Sequence, residues 1–313
     1  LIFMDFASID PTTVIYNLMI AATPILYASL GELVVEKSGV LNLGVEGMMI
    51  IGAICGFAIS VETGSSYIGF IAAACGGALL SIIFAVMTQY FLANQVASGL
   101  ALTLFGLGLA ALLGHSYTGQ VPPTVSKLDI PIITTIPIIG KMLFNHDFFV
   151  YLSIFLVFSV WYFLTYTRLG LIIQAVGENH DSAHAIGYNV TRIRFFSILF
   201  GGALAGLGGG YLSLIRVPQW TEGMTAGAGW IALAIVVFSA WRPWRLILGA
   251  YIFGGITILQ LNFQAIGVNI DVALLSMTPY AVTIVVLVLM SVNRSKTPMR
   301  APGSLGRSFL KIS

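Results

Sequence analysis

The chain has 313 residues, of which 58% are hydrophobic and only 8% are charged, and its formal net charge is +2. Soluble domains carry about 25% charged residues, so this composition excludes an ordinary soluble protein and predicts an all-α polytopic membrane protein. The small net charge and the scattered basic residues give no indication of nucleic-acid binding.

Apolar stretches long enough to cross a bilayer predict about nine transmembrane helices, with eight to ten compatible with the ambiguous segments. The second and seventh of these spans are unusually short. The predicted spans are residues 12–30, 45–60, 67–92, 97–113, 148–166, 195–215, 229–241, 246–262 and 274–292.

Basic residues indicate the orientation, because lysine and arginine accumulate in cytoplasmic loops. With nine spans, ten of the fourteen basic residues fall on one side, which places the C-terminus in the cytoplasm and the N-terminus outside.

The segment 114–147 is rich in proline, and either folds over the external mouth or contains a tenth, partial span. The predicted segments are an outside N-terminus (1–11), a first transmembrane repeat (12–113), an external loop (114–147), a linking helix (148–166), a cytoplasmic loop (167–194), a second repeat (195–292) and a cytoplasmic tail (293–313).

Two glycine-rich interruptions, residues 42–48 and 221–227, both contain Glu-Gly-Met and both precede a short span. Because five spans separate them, the copies run in opposite directions, as an inverted repeat with broken helices requires. Broken helices in corresponding positions predict a translocation pathway near the midplane. Glu46 and Glu222 could either cap helices or contact solute. The candidate pathway residues are Asn42, Gly44, Glu46, Gly47, Glu222, Gly223 and Met224.

The segment 168–194 is the longest polar interval in the second half of the chain, and it predicts a loop that carries a short helix. Asn179 or Asp181 can cap this helix, and Gly187 can end it in a left-handed conformation. Its apolar face would consist of Ala183, Ala185 and Ile186. So short a helix needs a packing partner, so we interpret the loop either as a docking element or as an ordinary inter-helix connection.

Other patterns favour structural roles. Small residues at four-residue spacing, including Gly202, Gly206 and Gly210, predict close helix packing. Residues 31–38 resemble a phosphate-binding loop in spacing only, because Glu36 replaces its second glycine. His180 and His184 lack a third metal ligand, and Cys55 and Cys75 fit no disulfide framework. The sequence therefore predicts no catalytic residue, metal or cofactor in this chain.

The interruptions and the polar loop are similar to those of permeases of ATP-binding-cassette (ABC) importers for branched-chain amino acids, ribose and nucleosides, closest to the simple-sugar or nucleoside branch. The resemblance covers about residues 23 to 306. The matching stretches are Leu30-Gly31-Glu32, residues 38–49, Val176-Gly177-Glu178-Asn179 with Ala183, Ala185 and Gly187, residues 221–227, Trp241-Arg242-Pro243 and Ala301-Pro302. His180 stands where the family pattern has proline, and Ala228 where it has arginine.

The resemblance implies a subunit of the bacterial cytoplasmic (inner) membrane that forms the pathway for a small polar solute, a simple sugar or nucleoside. It implies three protein partners: a separate ATPase that binds ATP and magnesium, a second permease subunit, distinct or identical, and an extracytoplasmic solute-binding protein. The ATPase-coupling residues it implies are Gly177, Glu178, Asn179, Ala183 and Gly187. The alternative is a self-sufficient ion-coupled carrier or channel; a membrane enzyme would need an acid/base or metal constellation that the spans lack.

Overall fold

The computed structural model describes residues 11–128, 143–265 and 301–310, and single positions between 274 and 288. Over these residues the fold is helical, with one isolated bridge between Lys127 and Asp147 in place of strands. The helices are α1 (Pro11–Lys37), α2 (Val45–Thr63), α3 (Ser66–Gln89), α4 (Gln95–Gly114), α5 (Phe148–Tyr166), α6 (Arg168–Glu178), α7 (His180–Ala185), α8 (Val190–Tyr211), α9 (Ala228–Phe238) and α10 (Pro243–Ala265).

Seven helices in the described part of the chain are long and apolar enough to cross a membrane: α1, α2, α3, α4, α5, α8 with the turn that follows it, and α10. The prediction of an all-α polytopic membrane protein is therefore confirmed. The seventh predicted span is α9, whose 11 residues extend only about 16 Å and cannot cross the hydrocarbon core. The ninth predicted span, 274–292, lies mainly outside the described residues, so the count of nine is not confirmed.

Helix α8 lies at the centre of the bundle and packs against α1, α2 and α3. Its glycines permit this approach: a Cβ added to Gly77 of α3 would lie only 2.7 Å from the Cα of Gly206. Helices gain little hydrophobic free energy when they associate in lipid, so van der Waals contact between closely packed backbones stabilises the bundle instead. The predicted packing role of the glycines in α8 agrees with this arrangement. Helix α8 continues into a π-helical turn, Leu212–Arg216.

The polar interval 168–194 contains two complete helices and the first turn of α8, although the sequence predicted only one short helix there. Helix α7 is the predicted short helix: the Asn179 side chain accepts a hydrogen bond from the Ser182 N–H, and Gly187 has φ +97°. Helix α6 was not predicted. Only Thr167 separates it from α5, and its polar residues, Arg168, Gln174 and Glu178, were interpreted as part of a loop. Thr167 caps α6 by accepting a hydrogen bond from the Gly170 N–H.

A carboxylate fixes the opposite end of the bundle. One oxygen of Asp147 caps α5 by accepting hydrogen bonds from the N–H groups of Phe149 and Val150. Its other oxygen accepts a hydrogen bond from the Tyr211 hydroxyl at 2.8 Å, and the Tyr27 hydroxyl donates to the Phe149 carbonyl at 2.7 Å. Helices α1, α5 and α8 are therefore joined where the external loop was predicted to end.

Candidate functional site: a broken-helix centre and the exposed end of a short helix

The chain is not helical in two places, which we call the first break (residues 38–44, between α1 and α2) and the second break (residues 217–227, between the π-turn and α9). Glu46, in the first turn of α2, is 3% exposed and bridges them. Its Oε1 accepts hydrogen bonds from the Thr225 hydroxyl at 2.5 Å and the Gly227 N–H at 2.8 Å. Its Oε2 accepts one from the Gly229 N–H at 2.7 Å.

This arrangement makes Glu46 an anionic cap for a helix from the other half of the chain. The N-terminus of α9 has unsatisfied N–H groups and a partial positive charge, and a carboxylate stabilises both. Of the two roles open from the sequence, the structure gives Glu46 the capping one. Gly229 is required here, since an added Cβ would lie 2.6 Å from the Cα of Glu46.

A second buried carboxylate holds the far end of α9. Glu36 of α1 accepts a hydrogen bond from the Trp241 indole N–H at 2.5 Å, and both residues are buried. Helix α9 is therefore attached to the first half of the chain at both ends. Helix α9 is about half as long as a 30 Å hydrocarbon core is thick. The Glu46 contact at its N-terminus and the Glu36 contact just after its C-terminus are therefore separated by about half of that thickness.

Asn42 lies inside the first break and is fully buried. Its Oδ1 accepts a hydrogen bond from the Gly44 N–H at 2.9 Å, and its own N–H donates to Glu32 Oε1 at 3.2 Å. Gly47 packs against α4, where an added Cβ would lie 2.8 Å from the Thr103 Cα. In this conformation Asn42 and its neighbours shape the break and lie away from the cavity described next.

The second break borders a cavity of about 540 Å³ between α1, the π-turn and α10. Of the predicted residues of this break, Met224 lines the cavity, whereas Glu222 and Gly223 are exposed and do not. A cavity of this size falls in the range of small-molecule sites, about 300–1,000 Å³. Its apolar wall includes Ile25, Phe253 and Ile258.

Arg216 lines the cavity but is not among the pathway residues that the sequence predicts. It ends the π-turn and lines the cavity with Asn17, Thr257 and Gln260. Among the described residues, no carboxylate lies within ion-pairing distance of its guanidinium. A cation on a membrane-spanning segment is costly unless it has a partner, so an arginine beside a cavity with no carboxylate partner in the described part of the chain indicates function. Its isolated position among apolar neighbours was the signal available in the sequence.

The five predicted coupling residues fall into two groups at one end of the bundle. Glu178, Asn179 and Gly187 are exposed. Gly177 and Ala183 are buried: Gly177 packs on the turn after α1, and Ala183 joins a small apolar cluster with Val176, Val190 and Phe309. The exposed group can contact a partner, and the buried group fixes the position of α7.

The predicted apolar face of α7 divides in the same way. Ala183 points inward, whereas Ala185 and Ile186 are exposed, and Ile186 has 72% of its surface accessible. An exposed large aliphatic residue at the end of a short capped helix is suited to anchor a protein partner.

His180, which stands where the resemblance gives proline, is 8% exposed. Its Nδ1 lies 3.1 Å from Arg194 Nη2, and therefore accepts a hydrogen bond when unprotonated. Burial and the charge of Arg194 lower the pKa of His180 below its ordinary value, and Arg307 adds to this effect while Asp181 opposes it. His180 therefore functions as a neutral acceptor.

Comparison with known proteins is consistent with this geometry. A family model described as the permease component of a branched-chain amino acid transport system matches residues 14–292. A putative glucose ABC transporter permease protein of Haloferax volcanii, TsgC13, is 37% identical, with 92% of this chain and 94% of the relative covered. The guanosine ABC transporter permease protein NupQ of Bacillus subtilis is 32% identical over 89% of this chain and 90% of its own length. The nucleoside ABC transporter permease protein NupC of Lactococcus lactis is 31% identical over 88% and 91%.

The family match covers most of the chain, and the resemblance drawn from the interruptions and the polar loop is confirmed. The relatives are transport components rather than enzymes, as the sequence predicted for this chain. The chain belongs to the family of branched-chain amino acid transport system permease components, and is a multi-pass permease subunit of an ABC transporter.

Proposed function

We propose that this permease imports a small polar solute, a simple sugar or a nucleoside, across the cytoplasmic membrane, driven by a separate ATPase subunit that binds ATP and magnesium. A second permease subunit completes the pathway, and an extracytoplasmic binding protein delivers the solute. The named solutes of the relatives, glucose, guanosine and nucleosides, support this solute class.

The distribution of charge supports an orientation with α7 in the cytoplasm. Seven of the nine described basic residues lie at the α7 end: Lys37, Arg168, Arg192, Arg194, Arg242, Arg245 and Arg307. Lys127 and Arg216 lie at the other end, beside Tyr16 and Asn17 of α1. This excess of positive charge is typical of a cytoplasmic face.

The orientation can be tested by cysteine labelling. A membrane-impermeant maleimide should label Gln120→Cys in intact cells, but should label Ser182→Cys only after lysis. The reverse pattern would refute the orientation.

The pathway that we propose runs through the 540 Å³ cavity, which the second break borders from the outer half. The two breaks meet at Glu46, as expected if the two halves are inverted repeats whose broken helices approach the midplane. In this proposal Met224 and Arg216 line the route. Asn42 and Gly44 shape the first break, Gly47 packs against α4, and Glu46 holds the N-terminus of α9.

A continuous set of contacts links α7 to the cavity. The buried Gly177 packs on the backbone of Lys37 and Gly39, where the first break begins. The first break leads to Glu46, and Glu46 holds the N-terminus of α9 beside the cavity. Movement of α7 by an ATPase can therefore reach the second break through packed backbone and the buried, hydrogen-bonded side chain of Glu46.

The observation that supports ATPase coupling best is the exposed end of α7, with Ile186 outside and Ala183 anchored inside. We expect the ATPase subunit to copurify with the tagged chain in mild detergent and to be lost from the Ile186→Arg variant. Leu171→Arg, exposed on the preceding helix α6, is the matched control and should retain the ATPase. Retention by both variants would refute coupling through α7. Solute movement by the purified chain alone would favour a self-sufficient carrier or channel.

A further inference from the structure

The C-terminal segment, residues 301–310, lies against α7 and the turn after α1. The Ser304 N–H donates a hydrogen bond to the Gly177 carbonyl at 2.8 Å, and the Ser304 hydroxyl accepts one from the His180 N–H at 3.2 Å. The Gly306 N–H donates to the Gly39 carbonyl at 3.2 Å. Residues 301–310 are thus joined to α6, to α7 and to the start of the first break.

Arg194 completes this attachment from inside. Its side chain is fully buried, with Nε donating to the Ser38 carbonyl at 3.1 Å and Nη1 donating to the Arg307 carbonyl at 2.9 Å. Its Nη2 faces His180 Nδ1. A buried guanidinium needs such acceptors, because leaving its donors unpaired is costly. The C-terminal segment supplies one acceptor that α1 and α8 do not.

Phe309 supplies the apolar part of the contact. It is 8% exposed and closes the cluster formed by Val176, Ala183 and Val190. Its ring centroid lies 5.4 Å from that of His180 and 5.1 Å from that of His184. Helix α7 has six residues, too few to be stable alone. Phe309 therefore provides much of the packing that keeps α7 helical and oriented.

The side chains that flank Phe309 face outward. Leu310 is 66% exposed, and Arg307 and Ser308 are exposed as well. Because Phe309 packs on His184 of α7, the exposed Arg307 and Leu310 lie beside α7, whose Ile186 is also exposed. A partner that contacts Ile186 is therefore close enough to contact Leu310 as well.

We propose that the ATPase-docking surface is composite: α7 provides one part, and the C-terminal segment both holds α7 in its docking orientation and contacts the ATPase through Leu310. The inference rests on the proposed ATPase coupling and adds a second element to it. The occupant of this surface is the ATPase subunit, because the segment packs directly against α7, the helix of the proposed ATPase contact.

The test measures the affinity of the detergent-purified permease for the ATPase subunit, together with hydrogen exchange of the α7 amides. We expect Phe309→Ala to speed exchange in α7 and weaken binding about tenfold or more, and Leu310→Asp to weaken binding with exchange unchanged. Ser308→Ala, an exposed neighbour, is the matched control and should behave like the natural chain. Normal exchange in the α8 core would show that the bundle of each variant is folded.

The outcomes separate this inference from the proposed function. If Ile186→Arg abolishes binding while Phe309→Ala and Leu310→Asp bind like the natural chain, the composite surface is refuted and coupling through α7 stands. If Ile186→Arg also binds normally, coupling through α7 itself is refuted. Should Phe309→Ala unfold the bundle, Leu310→Asp alone decides, because its side chain is exposed.

Discussion

Single side chains make the contacts that join distant parts of this permease. Glu46 accepts a hydrogen bond from the N–H of Gly227, which lies 181 positions later in the sequence. Arg194 of α8 donates a hydrogen bond to the C-terminal segment. Both are buried charged groups whose hydrogen bonds are made to backbone as well as side chains. Such groups are expensive to leave unpaired, so each one constrains the positions of its partners.

Replacing Glu46 by glutamine should loosen the N-terminus of α9. The amide nitrogen that replaces one oxygen cannot accept a hydrogen bond, so either the Gly229 N–H or the Thr225 and Gly227 donors lose a partner. We expect the free energy of unfolding to fall by about 1–3 kcal/mol, measured as a lower thermal midpoint in detergent. Glu222→Gln, at an exposed carboxylate, is the control; equal effects of the two changes would contradict the capping role.

Arg216 should determine how well the solute binds in the cavity. Hydrogen bonds to charged groups contribute about 1.5–3 kcal/mol, so Arg216→Met should raise the solute concentration for half-maximal uptake by about 10- to 150-fold. Membrane abundance and ATPase binding should not change. Arg245→Met, at the opposite end of the bundle, serves as the control. Unaltered solute dependence in Arg216→Met would remove this residue from the pathway.

His180 should make the attachment of the C-terminal segment sensitive to acid. The pKa of His180 in the folded chain lies below its ordinary value of about 6.5, so protonation of His180 favours the detached state. The stability that neutral His180 contributes to the attachment is therefore lost as the pH falls below about 6.5. Spin labels at Ser182 and Ser308, in a chain without Cys55 and Cys75, should give a broader distance distribution at about pH 5.5 than at pH 7.5.

The control for this prediction is His180→Asn, whose side-chain oxygen can still accept from Arg194 but does not titrate at these pH values. It should show a narrow distribution at both pH values. Equal acid broadening in the natural chain and in His180→Asn would contradict the role of His180 and assign the effect to a different titratable group.

Helices with purely local causes could be predicted from the sequence, whereas those that depend on distant partners could not. Helix α5 was predicted at 148–166, its bounds in the structure, because hydropathy alone marks such a span. The cap and stop of α7 were also predicted, since Asn179 and Gly187 act locally. The attachment of α9 was not, because nothing near Trp241 indicates Glu36.

The Glu36 contact gives a test of how α9 is held. Trp241→Phe keeps an aromatic ring but removes the N–H that donates to the buried Glu36 carboxylate. We expect a loss of about 1.5–3 kcal/mol in the free energy of unfolding, measured by thermal unfolding in detergent. Trp230→Phe, on the exposed side of α9, should change it little. If both variants melt like the natural chain, the Glu36 contact does not hold α9.

For the whole molecule, composition was enough to predict a helical membrane protein, and the motifs were enough to predict its family. The roles of the two Glu-Gly-Met interruptions could not be predicted from the sequence, because their surroundings differ. Glu46 is buried and hydrogen-bonded, whereas Glu222 is exposed. A repeated tripeptide therefore did not predict equivalent roles. The contact between residues 301–310 and α7 was likewise invisible, since the two segments are more than 100 residues apart in sequence.

The proposed import mechanism connects ATP hydrolysis in a partner to movement of solute past Arg216 and Met224. The decisive measurement is solute uptake into proteoliposomes that contain the permease pair, with and without the ATPase subunit, ATP and the binding protein. We predict uptake only when all three are present, and its loss in the Ile186→Arg variant. Uptake by the permease pair alone, unaffected by ATP and retained in Ile186→Arg, would contradict the mechanism and identify a self-sufficient carrier or channel.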